Sequence, residues 1–138
     1  MKAKEYLNQA YWLDRRIDSK LEQQSALRDL ATKTTAVMDG EVVSHTRNVH
    51  SQQDILAKIM DMEEEINNDI DALVDLKREI KRTIERVENP EYLILLELRY
   101  LCFKRWEEIA VMMNYNIRHI YRLHDEALEK LKVPDTQQ

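Results

Sequence analysis

Glycine occurs once in this chain of 138 residues, at Gly40, and proline twice, at Pro90 and Pro134. Almost nothing is present to break helices, and with a single phenylalanine and few β-branched runs no sheet is expected. The fold class read from the sequence is all-α. Cys102 is the only cysteine, so an internal disulfide is excluded. Its apolar Leu-Arg-Tyr-Leu-Cys-Phe context marks it for core packing rather than for thiol chemistry. No apolar run approaches the eighteen or so residues that a membrane span needs, and the opening MKAKEYLNQAYWLD has no apolar signal core, so a cytoplasmic protein is expected. A glycine-rich phosphate loop, a calcium loop and a legible Ser, His and Asp arrangement are all missing. His45, His50, His119 and His124 are too scattered to form a zinc set with one cysteine. An enzyme is not expected, nor a cofactor or a metal.

What the chain does have is long helical periodicity. Ala3, Tyr6, Ala10, Leu13, Ile17, Lys20, Gln24, Leu27 and Ala31 alternate spacings of three and four, the seam of a coiled coil with two polar interruptions. That predicts a helix over about residues 3–33, roughly 45 Å long. From Thr34 to Ser51 the periodicity fails and polar residues cluster, which reads as a long loop. A second helix is predicted from near Gln52, on Ile55, Ile59, Met62, Ile66, Leu73, Leu76, Ile80, Ile84 and Val87, ending before Pro90. Its acidic run, Asp61, Glu63, Glu64, Glu65, Asp69, Asp71 and Asp75, reads as a solvated face. Asn89-Pro90-Glu91 is a helix start: asparagine caps, proline suits the first helical position and glutamate the first turn. The helix that follows is apolar on more than one face and should lie buried as a hub.

The last third, LRYLCFKRWEEIAVMMNYNIRHIYRLHDEALEKLK from Leu98 to Lys132, holds two further short helices. Trp106, Ile109, Ala110 and Met113 give the first an apolar face, with Glu107 and Glu108 in the turn where the helix dipole favours anions. Asn114-Tyr115-Asn116 interrupts the pattern with the residue best suited, after glycine, to a left-handed turn and to capping the next helix. Ile120, Leu123, Ala127, Leu128 and Leu131 then form an inner face, opposite Arg118, Tyr121, Arg122, Asp125 and Glu129. Along that outer face the basic residues come first and the acidic ones later, which is the polarity of a recognition helix that presents its N-terminal residues to base edges.

This segment resembles sigma factor region 4 and related phage regulators, in which an L-R-Y run precedes an E-E-I-A helix, a turn and a helix ending in A-L-x-x-L. The matching residues are Leu98-Arg99-Tyr100, Glu107-Glu108-Ile109-Ala110, and Ala127-Leu128 with Leu131. Two departures stand out: Lys104-Arg105 replaces the usual small hydroxyl cap, and Asn114 the usual turn glycine. Over nearly its whole length, from KAKEYLNQAYWLDRRIDSKLEQ through DILAKIMDMEEEINNDIDALVDLKREI, the chain also resembles a family of uncharacterised small proteins from phages and prophages of Gram-positive bacteria. The two apolar seams predict a long antiparallel, coiled-coil-like helical hairpin in residues 1–88, and the likeness to sigma factor region 4 implies a helix-turn-helix DNA-binding domain in residues 89–133. The resemblance implies a phage-encoded transcription regulator in the bacterial host cytoplasm, with double-stranded DNA and host RNA polymerase as partners. The residues expected to touch DNA are Asn116, Arg118, His119, Tyr121 and Arg122, with Lys104 and Arg105 beside them.

The net charge of −5 is unevenly spread. Between Arg99 and Lys132 seven basic side chains face five acidic ones, whereas residues 1–98 carry fourteen basic against twenty acidic. The acid lies away from the expected reader, and a homodimer would double the modest positive surface. Tyr6, Leu7, Tyr11 and Trp12 offer more apolar surface than one partner helix covers, which is the ground for expecting that dimer. Two other functions fit the same composition. One is a small-terminase-like packaging protein that assembles into rings. The other is an acidic phage protein that blocks a host protein without binding DNA.

Overall fold

The computed structural model of the chain describes the backbone of residues 1–40 and 45–134 and the side chains of residues 1–33 and 52–134. Among the described residues there are five helices and no strand: α1 (Ala3–Gly40), α2 (His45–Glu85), α3 (Pro90–Tyr100), α4 (Trp106–Met113) and α5 (Ile117–Lys130). No helix among them is long and apolar enough to cross a membrane.

The loop read between Thr34 and Ser51 is largely helix instead. α1 continues to Gly40 and α2 already begins at His45; residues 41–44, the rest of that expected loop, lie outside the described residues. Apolar periodicity reports which face packs, not whether the backbone is helical. Once a helix is nucleated, each added residue gains a hydrogen bond at little cost, and no glycine or proline interrupts α1 before Gly40.

Two compact units divide the chain, one made of Met1–Asp14 with Leu73–Gln138, the other of Arg15–Ala72. In the second unit the seam positions Ile17, Ile55, Ile59 and Ile66 are buried. Its two polar interruptions are both satisfied across the seam. Lys20 Nζ lies 2.6 Å from Asp69 Oδ2, and the Gln24 amide, 4% exposed, donates to the Ile59 carbonyl at 3.1 Å. Polar side chains that find a partner in only one alignment select the register of such a seam.

The first unit gathers its core from every helix. Tyr6, Leu7 and Ala10 of α1, Ile80 and Ile84 of α2, and Val87 just beyond it pack with Leu95, Leu96 and Tyr100 of α3, Ile109 and Ala110 of α4, and Ile120, Leu123 and Ala127 of α5. The unit therefore crosses the division at residue 88 read from the sequence, because the start of α1 and the end of α2 share this core. Tyr6 and Leu7 are fully buried in it, so of the four side chains expected at a dimer surface only Tyr11 and Trp12 are exposed. Tyr6 is anchored further by its hydroxyl, 3.0 Å from Thr83 Oγ1 and 3.4 Å from Glu79 Oε1.

α3 begins as its sequence indicates. Asn89 Oδ1 accepts from the Glu91 and Tyr92 amides at 2.9 and 3.4 Å, and Pro90 occupies the first turn. Its Leu95 and Leu96 are wholly buried, and the helix packs against both α4 and α5. Leu95→Ala is expected to cost about 2–5 kcal/mol in urea unfolding through the lost contacts and the cavity left behind. Asn67→Ala, at an exposed position of the second unit, should stay within about 0.5 kcal/mol of the parent.

Candidate nucleic-acid interface

The joint between α4 and α5 is built by asparagine. Asn114 adopts φ 60°, ψ 45°, the left-handed region that glycine usually fills. Its amide bonds to the Val111 carbonyl at 3.2 Å, and the Tyr115 amide to that of Ala110 at 3.0 Å. This double closure is the Schellman pattern, and it satisfies carbonyls that the end of α4 would otherwise leave open. Two residues on, Asn116 Oδ1 accepts from the His119 amide at 2.8 Å and starts α5. The Tyr115 hydroxyl between them donates to Glu91 Oε1 at 2.6 Å, tying the turn to the first turn of α3. Tyr92 donates from α3 to Glu126 Oε2 of α5 at 2.8 Å.

The roll of α5 about its own axis is set from inside. Ile120, Leu123, His124 and Ala127 are buried, which leaves Arg118, Tyr121, Arg122, Asp125 and Glu129 exposed. His124 was legible in the sequence only as one scattered histidine. In the fold its Nε2 lies 2.6 Å from the Tyr100 hydroxyl, and its ring meets Trp106 edge-on at 4.6 Å. Burial pushes the His124 imidazole down to about 4, aided by Lys4 and Arg99 and opposed by Asp125. Burial likewise pushes the Tyr100 phenol up to about 12. The protonated phenol and the neutral imidazole therefore share one hydrogen bond, whose donor is set by the imidazole tautomer.

The residues expected to touch DNA fall into three groups. Asn116, Arg118, His119 and Arg122 line one depression of about 480 Å³ at the start of α5, together with Asn114 and Tyr115. Arg118 and Arg122 are exposed, one turn apart, and neither has an ion-pair partner among the described residues. The Asn116 side-chain oxygen is used by the cap, and the His119 ring rests edge-on against Tyr115 at 4.3 Å. Tyr121 lies outside the depression and leans on Trp106, with ring centroids 5.6 Å apart. Lys104 and Arg105 form the third group. Arg105 Nε is 2.8 Å from Glu108 Oε1 and Lys104 Nζ 4.0 Å from Glu108 Oε2, and the Arg105 guanidinium holds the Glu108 carboxyl below its usual range. Both cations are thus already shared with a carboxylate, and Arg105 makes no side-chain cap for α4. Tyr115, which lines the depression and braces its turn, was missed as a site residue. Its place between two helix-capping asparagines was the available signal.

Cys102 is exposed rather than packed in the core, because it falls just past α3, where its amide bonds back to the Glu97 carbonyl. Among the described residues no group of three or more His, Cys, Asp or Glu side chains is arranged to hold a metal ion.

Among the described residues the chain is all-helical, and Arg118 and Arg122 stand without an ion-pair partner at the capped start of α5. The chain belongs to the family described as Protein of unknown function (DUF1492), whose model matches residues 34–132. No curated protein and no solved structure matches it.

Neutral His124 has a consequence for stability. The folded state binds fewer protons than the unfolded state between the imidazole's ordinary value of 6.5 and its folded value of about 4. Stability is therefore full above pH 6.5 and falls as acid is added through that window, by about 2–3 kcal/mol at its lower end. Urea unfolding at pH 7 and pH 4.5 should show the loss, and a His124→Gln variant should lack this part of it.

Proposed function

We propose that this chain is a phage-encoded, sigma-like transcription regulator that binds promoter DNA in concert with host RNA polymerase. In this reading α1 and α2 form a long antiparallel hairpin for self-association or polymerase contact. α4, the Asn114–Asn116 turn and α5 form a helix-turn-helix with α5 as the recognition helix.

The observation that carries the reading is the pair Arg118 and Arg122, exposed around the depression at the start of α5 and without an ion-pair partner among the described residues. A helix N-terminus is electropositive, and helix-turn-helix proteins insert this end of the second helix into the major groove. Two arginines one turn apart suit bidentate contact with guanine edges or a grip on adjacent phosphates. His119 lies between them, while Tyr121, held at the edge by Trp106, suits a backbone contact. Lys104 and Arg105 add less than their charge suggests, since a phosphate must first displace Glu108. Leu21, Leu30, Leu56, Met60 and Ile70 are exposed apolar side chains of the Arg15–Ala72 unit, and they supply a surface for a two-fold dimer. Such a dimer would set two recognition helices on half-sites about one DNA turn apart, or a multiple of it.

Selection of genomic fragments by the purified protein at two salt concentrations tests this function. A recovered duplex motif whose affinity falls with salt is the expected result. Arg118→Ala with Arg122→Ala should lower affinity for that motif by about thirtyfold or more, at the 1–3 kcal/mol typical of each base contact, with the helical circular dichroism unchanged. No enrichment at either salt, or unchanged affinity in the double variant, would refute the assignment.

A further inference from the structure

Away from α5, the first unit carries a second depression, lined by aromatic rings. Asn8, Tyr11 and Trp12 of α1, Arg99 of α3 and Phe103 of the segment before α4 line a depression of about 200 Å³. Trp12 is 67% exposed, far more than a tryptophan retained only for packing. Tyr11 stands between two rings, meeting Trp12 edge-on at 5.2 Å and Phe103 edge-on at 5.9 Å. Phe103 has φ 57°, a left-handed conformation that is rare for a bulky side chain. Two bonds hold its segment there: Arg99 Nη1 donates to the Lys104 carbonyl, and the Lys104 amide to the Leu98 carbonyl, each at 3.0 Å. The Lys77 ammonium sits 4.5 Å from the Phe103 ring centre. Arg99 lines the depression and Lys77 sits over one of its rings, and both are cations. The Asn8 amide has no hydrogen bond among the described residues and is free to offer a donor and an acceptor.

We infer that this depression binds an unpaired nucleobase of a single DNA strand, stacked on Trp12 and edged by Asn8, with the neighbouring phosphates drawn to Lys77 and Arg99. The inference rests on reading the chain as a DNA-binding protein and adds a second mode of contact to it. The size fits, since a cavity of about 150 Å³ is enough for benzene. Exposed aromatic faces beside cations are the usual means of holding single strands without sequence preference, and stacking contributes about 1–3 kcal/mol per base. A carboxyamide such as Asn8 can pair with two atoms on a base edge. A protein acting where promoter DNA opens would thereby hold duplex through α5 and a displaced base through Trp12.

The test uses the full chain and a labelled single-stranded oligonucleotide of about twelve nucleotides, within the span such sites cover. An abasic strand of equal length, with the same phosphates and no bases, is titrated alongside. The expected results are quenching of tryptophan fluorescence by the oligonucleotide and about tenfold weaker binding of the abasic strand. Trp12→Ala should also bind the oligonucleotide about tenfold more weakly, whereas Trp12→Tyr, which keeps a ring face, should recover most of the affinity. Equal binding of the two strands, or wild-type affinity in Trp12→Ala, would overturn the inference. The Arg118→Ala, Arg122→Ala double variant keeps the two claims apart. It should lose the duplex motif while still binding single strands through Trp12. Loss of single-strand binding in that variant would assign the contact to α5 and also overturn the inference.

Discussion

Tyr100 and His124 meet 2.6 Å apart in the core of the first unit, and the rest of that unit is arranged around their contact. A buried histidine is tolerable only when neutral and hydrogen-bonded, and the phenol of α3 meets that condition in one rotational setting of α5. The same setting turns Ile120, Leu123 and Ala127 inward and Arg118 and Arg122 outward. α3 is itself fixed by Leu95 and Leu96, against a core that includes the first turns of α1 and the end of α2. The orientation of the exposed arginines is thus set by side chains that never reach the surface.

The turn adds direction to that rotation. Asn114 spends left-handed backbone strain that glycine would avoid, at a cost on the order of 1 kcal/mol, and closes α4 with two backbone bonds. Asn116 opens α5 with its side chain, and Tyr115 braces the joint on Glu91. Each departure from the sigma-like pattern therefore has a local physical account. The turn glycine is replaced by the residue that best tolerates its conformation, and the missing hydroxyl cap leaves Arg105 to pair with Glu108.

Much of this architecture was legible in the residues. The alternating three and four spacing named the buried positions of α1 and α2, including Lys20 and Gln24 as polar interruptions, and the Asn-Pro-Glu run marked the start of α3. Arg118, Tyr121 and Arg122 lie on the outer face that the periodicity of α5 assigned. What escaped depended on tertiary context. Periodicity reports a packing face and not the backbone conformation, so residues 34–40 and 45–51, which are helix, read as loop. The division of the chain into units came from core sharing between segments far apart in sequence. His124 sits on the same inner stripe as Ile120 and Ala127, yet nothing local shows that Tyr100 is there to receive it. The pairing of Lys104 and Arg105 with Glu108, four and three residues on, was readable from spacing alone and was overlooked. The grouping of Phe103 with Tyr11 and Trp12 was not readable, because about ninety positions separate it from them.

The start of α5 is the surface proposed to meet duplex DNA. Amide chemical-shift mapping of the labelled full chain against the duplex recovered by selection tests it most directly. The expected shifts are concentrated at residues 114–122, around Arg118 and Arg122, with little change along residues 54–75 of α2. Shifts confined to α2, or none at saturating duplex, would contradict it.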